Sequence, residues 1–248
     1  MKEKIKILTP QEAAKKAVAM LKSKADPGKA AQAQKYFKEP VTFFGLTAAQ
    51  VRDIGGELFE AVRKHWTIQE AIELCEILLP YKYYEARSVS VLIFLKYDKD
   101  FQPAHFSLIK TWLAKNYCDN WAMVDILCPD SLGVLLEKHP ELIANIKDWT
   151  RSPNRWVQRA SMVSFIRLAR RGKFLDAVYK ISERMFPVDD DLLHKANGWL
   201  LREAGKTDMP RLERFLLRHG RRIPRTTLRY AIERFPEGKR RQLLAKTK

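Results

Sequence analysis

The stretch Asn116-Tyr117-Cys118-Asp119-Asn120-Trp121-Ala122-Met123-Val124-Asp125 decides how the rest of the chain is read. Asn120 is a helix N-cap residue, its side-chain oxygen able to accept from an N–H of the first turn, so a helix is expected from Trp121 to near Pro129. On that helix Trp121 and Asp125 stand four residues apart and share a face, an indole beside a carboxylate. Two later segments offer companions: Arg159 in Arg155-Trp156-Val157-Gln158-Arg159-Ala160, and Trp199 in Lys195-Ala196-Asn197-Gly198-Trp199-Leu200-Leu201-Arg202-Glu203. A carboxylate among tryptophans on a basic chain suits a cationic group carried by an anionic polymer.

Outward from that stretch the helical period recurs and no strand signal competes with it. Helices are expected from Pro10 to about Lys24, from the Asp26-Pro27 cap to about Glu39, from Thr47 to about His65, and after the Thr67–Glu70 capping box to Leu79. Tyr83–Tyr97, Pro103–Lys115, Trp121–Leu127, Ser131–His139 and Pro140–Thr150 follow. Ser152-Pro153 is read as the start of a long helix carrying Trp156 and Arg159, and Leu175–Phe186, Asp191–Ala204, Met209–His219 and Arg225–Phe235 complete the series. Short turns join these elements, so neighbours run antiparallel. The expected fold is all-α: an α-solenoid of HEAT-like antiparallel helical hairpins, residues 1–248 as a single domain, with hairpins spaced by roughly 35–45 residues.

Charge is the most informative bulk property. The chain has 46 Lys and Arg against 29 Asp and Glu, a net +17, and +15 of it falls within residues 151–248. Charge concentrated in one half repels itself unless a polyanion meets it, so a concave basic face for a nucleic-acid duplex is expected. A membrane surface is a poorer fit, because the basic residues spread over several helices. No apolar run is long enough to span a bilayer, and Met1-Lys2-Glu3-Lys4-Ile5-Lys6 is not the start of a signal peptide. Cys75, Cys118 and Cys128 are odd in number and lack zinc-ligand spacing; they are read as reduced core residues of a cytoplasmic protein.

Three segments in order, Trp121–Asp125, Trp156–Ala160 and Lys195–Glu203, resemble the AlkD-type alkylpurine DNA glycosylases. Glu137-Lys138-His139-Pro140-Glu141-Leu142-Ile143 and Trp149, between the first two, are similar in order and spacing; Lys35-Tyr36-Phe37-Lys38 and Phe44-Gly45-Leu46 match more loosely. The resemblance spans residues 30–205 and is densest from 116 to 205. It implies a HEAT-like fold and excision of cationic N3- and N7-alkylated purines from double-stranded DNA carrying alkylated bases, with the base left stacked. It also implies Asp125 as the catalytic carboxylate, Trp121, Trp199 and Tyr36 at the lesion and its deoxyribose, and Arg159, Lys195 and Arg202 on the DNA backbone. No metal or other cofactor, no membrane and no obligate protein partner is called for, and a monomer is expected. Ala122-Met123 departs from the small polar residues found there in the family, and the arginine-rich end beyond residue 205 lies outside the shared pattern.

The chemistry fits these residue types. An alkylated purine cation is already a good leaving group, and as its glycosidic bond stretches, positive charge moves onto the sugar. A carboxylate beside that sugar is attracted more strongly as the charge arrives. Taken singly, each residue has a plainer reading: Asp125 as a surface charge, Trp121 and Trp199 as core, and Arg159 as one basic residue among 46. Trp66, Trp112, Trp149 and Trp156 are read as core, and the five histidines as structural. Two other functions stay open on the sequence alone. Salt-dependent duplex binding without base release would mark an architectural DNA binder, and a co-purifying acidic protein would mark a scaffold.

Overall fold

In the computed structural model, which describes residues 8–247, Thr9, Thr47 and Thr67 open their helices by one device. Each threonine hydroxyl accepts an N–H of the first turn, while the third helical residue (Glu12, Gln50 or Glu70) reaches back to the threonine N–H, at 3.0, 2.9 and 2.7 Å. The helices are α1 (Pro10–Ser23), α2 (Pro27–Gln34), α3 (Ala48–Val62), α4 (Ile68–Leu78), α5 (Tyr84–Phe94), α6 (Pro103–Ala114), α7 (Trp121–Lys138) and α8 (Leu142–Asp148). They continue as α9 (Arg155–Val163), α10 (Ile166–Arg170), α11 (Leu175–Arg184), α12 (Asp191–Gly205), α13 (Met209–His219), α14 (Arg225–Ala231) and α15 (Glu237–Lys246). Among the described residues the only extended pairing is an isolated bridge between Thr42 and Tyr83. The expected all-α, helical-repeat class is the one observed. Among the described residues, no helix is long and apolar enough to cross a membrane.

The chain forms two compact units. The first runs to Phe101 and adds Lys115–Leu127; the second takes Gln102–Ala114 and everything from Cys128 onward. In the first, α1, α3, α4 and α5 pack around Ala17, Leu21, Leu58, Leu74 and Val89, all fully buried. Each buried leucine contributes about 1.5–3 kcal/mol. In the second, α12 is central: α9, α10 and α14 pack along it, and α11 and α13 also lean on it. Trp66 belongs to the first core and Trp112, Trp149 and Trp156 to the second; all four are buried, as are the three cysteines.

Several boundaries differ from those expected. Helix α2 stops at Gln34 rather than near Glu39 because the Gln34 amide takes over the backbone beyond it. Its Nε2 donates to the carbonyls of Phe37 (3.2 Å) and Glu39 (2.9 Å), and its Oε1 accepts from Val41 N–H at 2.8 Å. Helix α7 does not end near Pro129 but passes through it to Lys138. A proline inside a helix costs about 3 kcal/mol; complete burial of Leu127, Cys128, Leu132, Leu135 and Leu136 on either side offsets it. The α9 cap is Asn154, not Ser152: its Oδ1 accepts from the N–H of Trp156 at 2.8 Å and of Val157 at 3.3 Å. The long helix expected there breaks at Ser164–Phe165 into α9 and α10, and α15 was not expected at all.

Candidate active site

The start of α7 is fixed from below by a buried charge. Arg87, on α5 and 5% exposed, donates to the Asp119 carboxylate at 2.7 Å and to the Tyr117 carbonyl at 3.4 Å. Asp119 also accepts from Asn120 Nδ2 at 3.0 Å, and Asn120 Oδ1 caps the helix by accepting from Met123 N–H at 3.0 Å. Asn116 turns the chain into this arrangement at φ 58°, a left-handed conformation that asparagine tolerates better than most residues. Trp121 and Asp125 thereby leave a helix whose first turn is held in place on three sides.

Both side chains are half-buried and line one cavity of about 380 Å³, with Leu46, Val51, Arg52, Tyr84 and Leu92 among its walls. The walls are mostly hydrocarbon, so the field of the Asp125 carboxylate is screened less there than in open water. Leu46 is placed by Glu85, a fully buried carboxylate that accepts from the N–H groups of Phe44 (3.0 Å), Gly45 (2.8 Å) and Leu46 (3.2 Å). Gly45 sits at φ +92° with the Asp26 carbonyl oxygen 2.0 Å from where a Cβ would be, so no other residue fits that turn.

Aromatic rings pack against Trp121 and Tyr84. Phe37 stacks on Trp121 and leans on Phe43, with centroids 5.4 Å apart; Phe43 in turn meets Tyr84 at 5.3 Å. Burial pushes the Tyr84 phenol above its usual range; a hydrogen bond with Ser88 opposes that, and the charges of Glu85 and Asp125 add to it. Tyr36, one residue before the stacked Phe37, is 80% exposed. Phe37, Tyr84, Glu85 and Arg87 were not singled out by sequence. For Glu85 and Arg87 the signal available was a glutamate and an arginine two residues apart inside an otherwise uncharged helix.

On the second unit, Lys195, Trp199 and Arg202 recur at the spacing of one face of α12. Trp199 is half-buried. Gly198 lets α14 approach: a Cβ there would come within 2.6 Å of the Thr227 carbonyl and 2.3 Å of Tyr230 Cβ. Lys195 binds Asp191 at 2.9 Å, and that hydrogen bond raises its pKa against the opposing effects of burial and of the nearby Arg159 charge. Arg202 is paired with Glu233 and lies 3.8 Å from Glu203. Arg159 is only 4% exposed and donates to the Leu192 carbonyl at 2.5 Å, tying α9 to the start of α12. Thus Trp121 and Asp125 share a cavity in one unit, with Tyr36 beside the Phe37 stack; Arg159, Lys195, Trp199 and Arg202 gather around α12 in the other.

Known proteins share this architecture. A solved structure described as "Predicted DNA alkylation repair enzyme from Enterococcus faecalis" superposes with a TM-score of 0.75 at 18% identity, covering 86% of this chain and 97% of that one; the likeness is one of fold. No curated protein matches the chain. The family model for DNA alkylation repair enzymes matches residues 17–235, nearly the whole length. The chain belongs to the DNA alkylation repair enzyme family, and its role lies in the repair of alkylated DNA.

Proposed function

We propose that this protein is a DNA glycosylase that removes purines made cationic by alkylation at N3 or N7, of the 3-methyladenine and 7-methylguanine type, from duplex DNA. The observation that carries the reading is the pairing of Asp125 with Trp121 on one largely apolar cavity. The bond between the sugar C1′ and the base nitrogen breaks, its electron pair leaving with the base and neutralising it. Positive charge develops on the sugar, where a fixed carboxylate in a weakly screened setting stabilises it. A water oxygen then bonds to C1′ and loses its proton, with Asp125 orienting that water. Free base and an abasic site result.

Trp121 offers an indole face to the cationic base, worth about 0.5–2 kcal/mol depending on desolvation. Trp199 and Tyr36 contact the lesion-bearing nucleotide, and Lys195 and Arg202 hold phosphates without reading sequence, while the buried Arg159 adds its charge beneath Lys195. The base stays stacked while its sugar is attacked.

The test is release of 7-methylguanine from methylated duplex, followed by chromatography at saturating enzyme. Asp125→Asn keeps the shape and removes the charge, so excision is expected to slow by about 10²–10³. Binding of undamaged duplex stays near wild type, because deleting a negative charge removes no attraction to phosphate. Excision by Asp125→Asn at the wild-type rate would take the carboxylate out of the mechanism.

A further inference from the structure

Asn197 and Trp199 are two residues apart on α12, about 200° around its axis at 3.6 residues per turn, so they point to opposite sides. Asn197 is buried and donates Nδ2 to the carbonyl of Ser182 on α11 at 3.0 Å. Gly205, about 80° from Asn197 by the same count, meets α13 so closely that a Cβ would stand 2.4 Å from Leu212 Cδ2. Helices α11 and α13 therefore lie on the side of α12 turned away from Trp199.

Between α11 and α13 runs a cleft of about 650 Å³. Its floor is aromatic, with the Tyr179 and Phe215 rings 4.7 Å apart. Tyr179 is 6% exposed; its ring lines the cleft, and its hydroxyl is buried. The Arg211 guanidinium lies over the same ring at 4.7 Å. Lys180, Arg214, Arg218 and Arg222 stand around it. The two carboxylates present are already engaged, Asp176 by Arg211 and Glu183 by Arg222 at 3.4 Å. Arg214 and Arg218 are exposed and make no ion pair among the described residues.

We propose that this cleft binds the phosphodiester backbone of a nucleic acid, giving the protein a second DNA-contact surface on the side of α12 away from Trp199. A phosphate offers only acceptors, and the cleft presents two unpaired guanidinium forks, those of Arg214 and Arg218, the geometry that takes phosphate oxygens in pairs. Arg211, Arg214 and Arg218 follow one another along a face of α13 every 5 Å or so, which matches a polymer charged at regular intervals better than a compact anion. The two surfaces point apart, so two duplex segments can be held at once.

The test uses the full chain and a short, undamaged, fluorescently labelled duplex. At low salt the wild type is expected to sediment with two duplexes per chain, and the double variant Arg214→Ala/Arg218→Ala with one. The fall of log affinity with log salt should become shallower by about 0.9 for each phosphate that the variant no longer neutralises. One duplex per wild-type chain, or an unchanged salt slope in the double variant, overturns the proposal. So does binding of poly-glutamate as tight as that of duplex, which would make the cleft a docking surface for acidic protein. Neither readout involves excision, so the result stands whether or not Asp125 proves catalytic.

Discussion

Phe37 lies almost flat against Trp121, with ring centroids 5.2 Å apart and planes inclined by 18°. One face of the indole is thus occupied from within the protein, and only the remainder can meet a cationic base. Such a stack is worth about 0.5–1.5 kcal/mol beyond the area it buries, and here it also fixes where the indole points. Phe37→Leu keeps much of the volume and removes the stack. Single-turnover excision is expected to fall severalfold, with undamaged duplex bound as before. A wild-type rate would show that Trp121 holds its place unaided.

Lesion charge should matter more than lesion size if the base stays stacked and the carboxylate acts at the sugar. Duplexes carrying a bulky cationic N7 adduct are expected to lose it, whereas uracil and hypoxanthine, which are neutral, remain in place. Failure on the bulky adduct alongside efficient release of 7-methylguanine would indicate a pocket that encloses the base.

Arg159 serves the fold as well as any ligand. Its bond to the Leu192 carbonyl is charge-assisted, and such bonds contribute about 1.5–3 kcal/mol. Arg159→Ala is therefore expected to lower the denaturation midpoint and, at temperatures where the variant is folded, to weaken duplex binding and excision together. Thermal melts beside binding isotherms separate the two effects; a stability unchanged from wild type would mean the hydrogen bond contributes nothing.

Glu203 should make the protein acid-labile. Burial by itself raises its pKa, but hydrogen bonds from Lys206 and Arg170, both at 2.7 Å, outweigh that and leave it below the ordinary 4.5. A carboxyl with a depressed native pKa stabilises the fold fully above its unfolded value and loses that contribution as pH falls through the native one. Denaturant midpoints measured from neutral pH down past 4.5 should drop for wild type and drop less steeply for Glu203→Gln. Parallel curves would remove Glu203 from the acid response.

How much of this the sequence disclosed depended on whether the deciding interactions were local. The Thr47 and Thr67 helix starts were readable because cap and partner sit three residues apart. The shared face of Trp121 and Asp125 follows from helical spacing in the same way. Helix α7 passes Pro129 because of side chains packed on it, which local propensity cannot register. Helix α15 contributes a single buried residue, Leu243, and so displays no apolar stripe. At the site, Phe37 reaches both Trp121 and Tyr84 from far along the chain, a proximity that spacing does not encode. Arg159 and Glu203 were visible as charges within shared motifs. That both are buried, and spend their hydrogen bonds on the fold, depends on partners more than thirty residues away.

The six tryptophans fall into two environments. Trp66, Trp112, Trp149 and Trp156 are enclosed by packed side chains, while Trp121 and Trp199 keep part of their surface open. Enclosed indoles emit toward the blue and are shielded from acrylamide; open ones emit toward the red and are readily quenched. The molecule therefore carries two optical channels, one that follows loss of packing and one that follows whatever settles on the open indoles. Because Trp121 and Trp199 belong to different compact units, replacing each in turn with phenylalanine gives either unit its own reporter. Titrating the two unlabelled variants with duplex and comparing their emission then tests whether DNA reaches either indole, and which of them first.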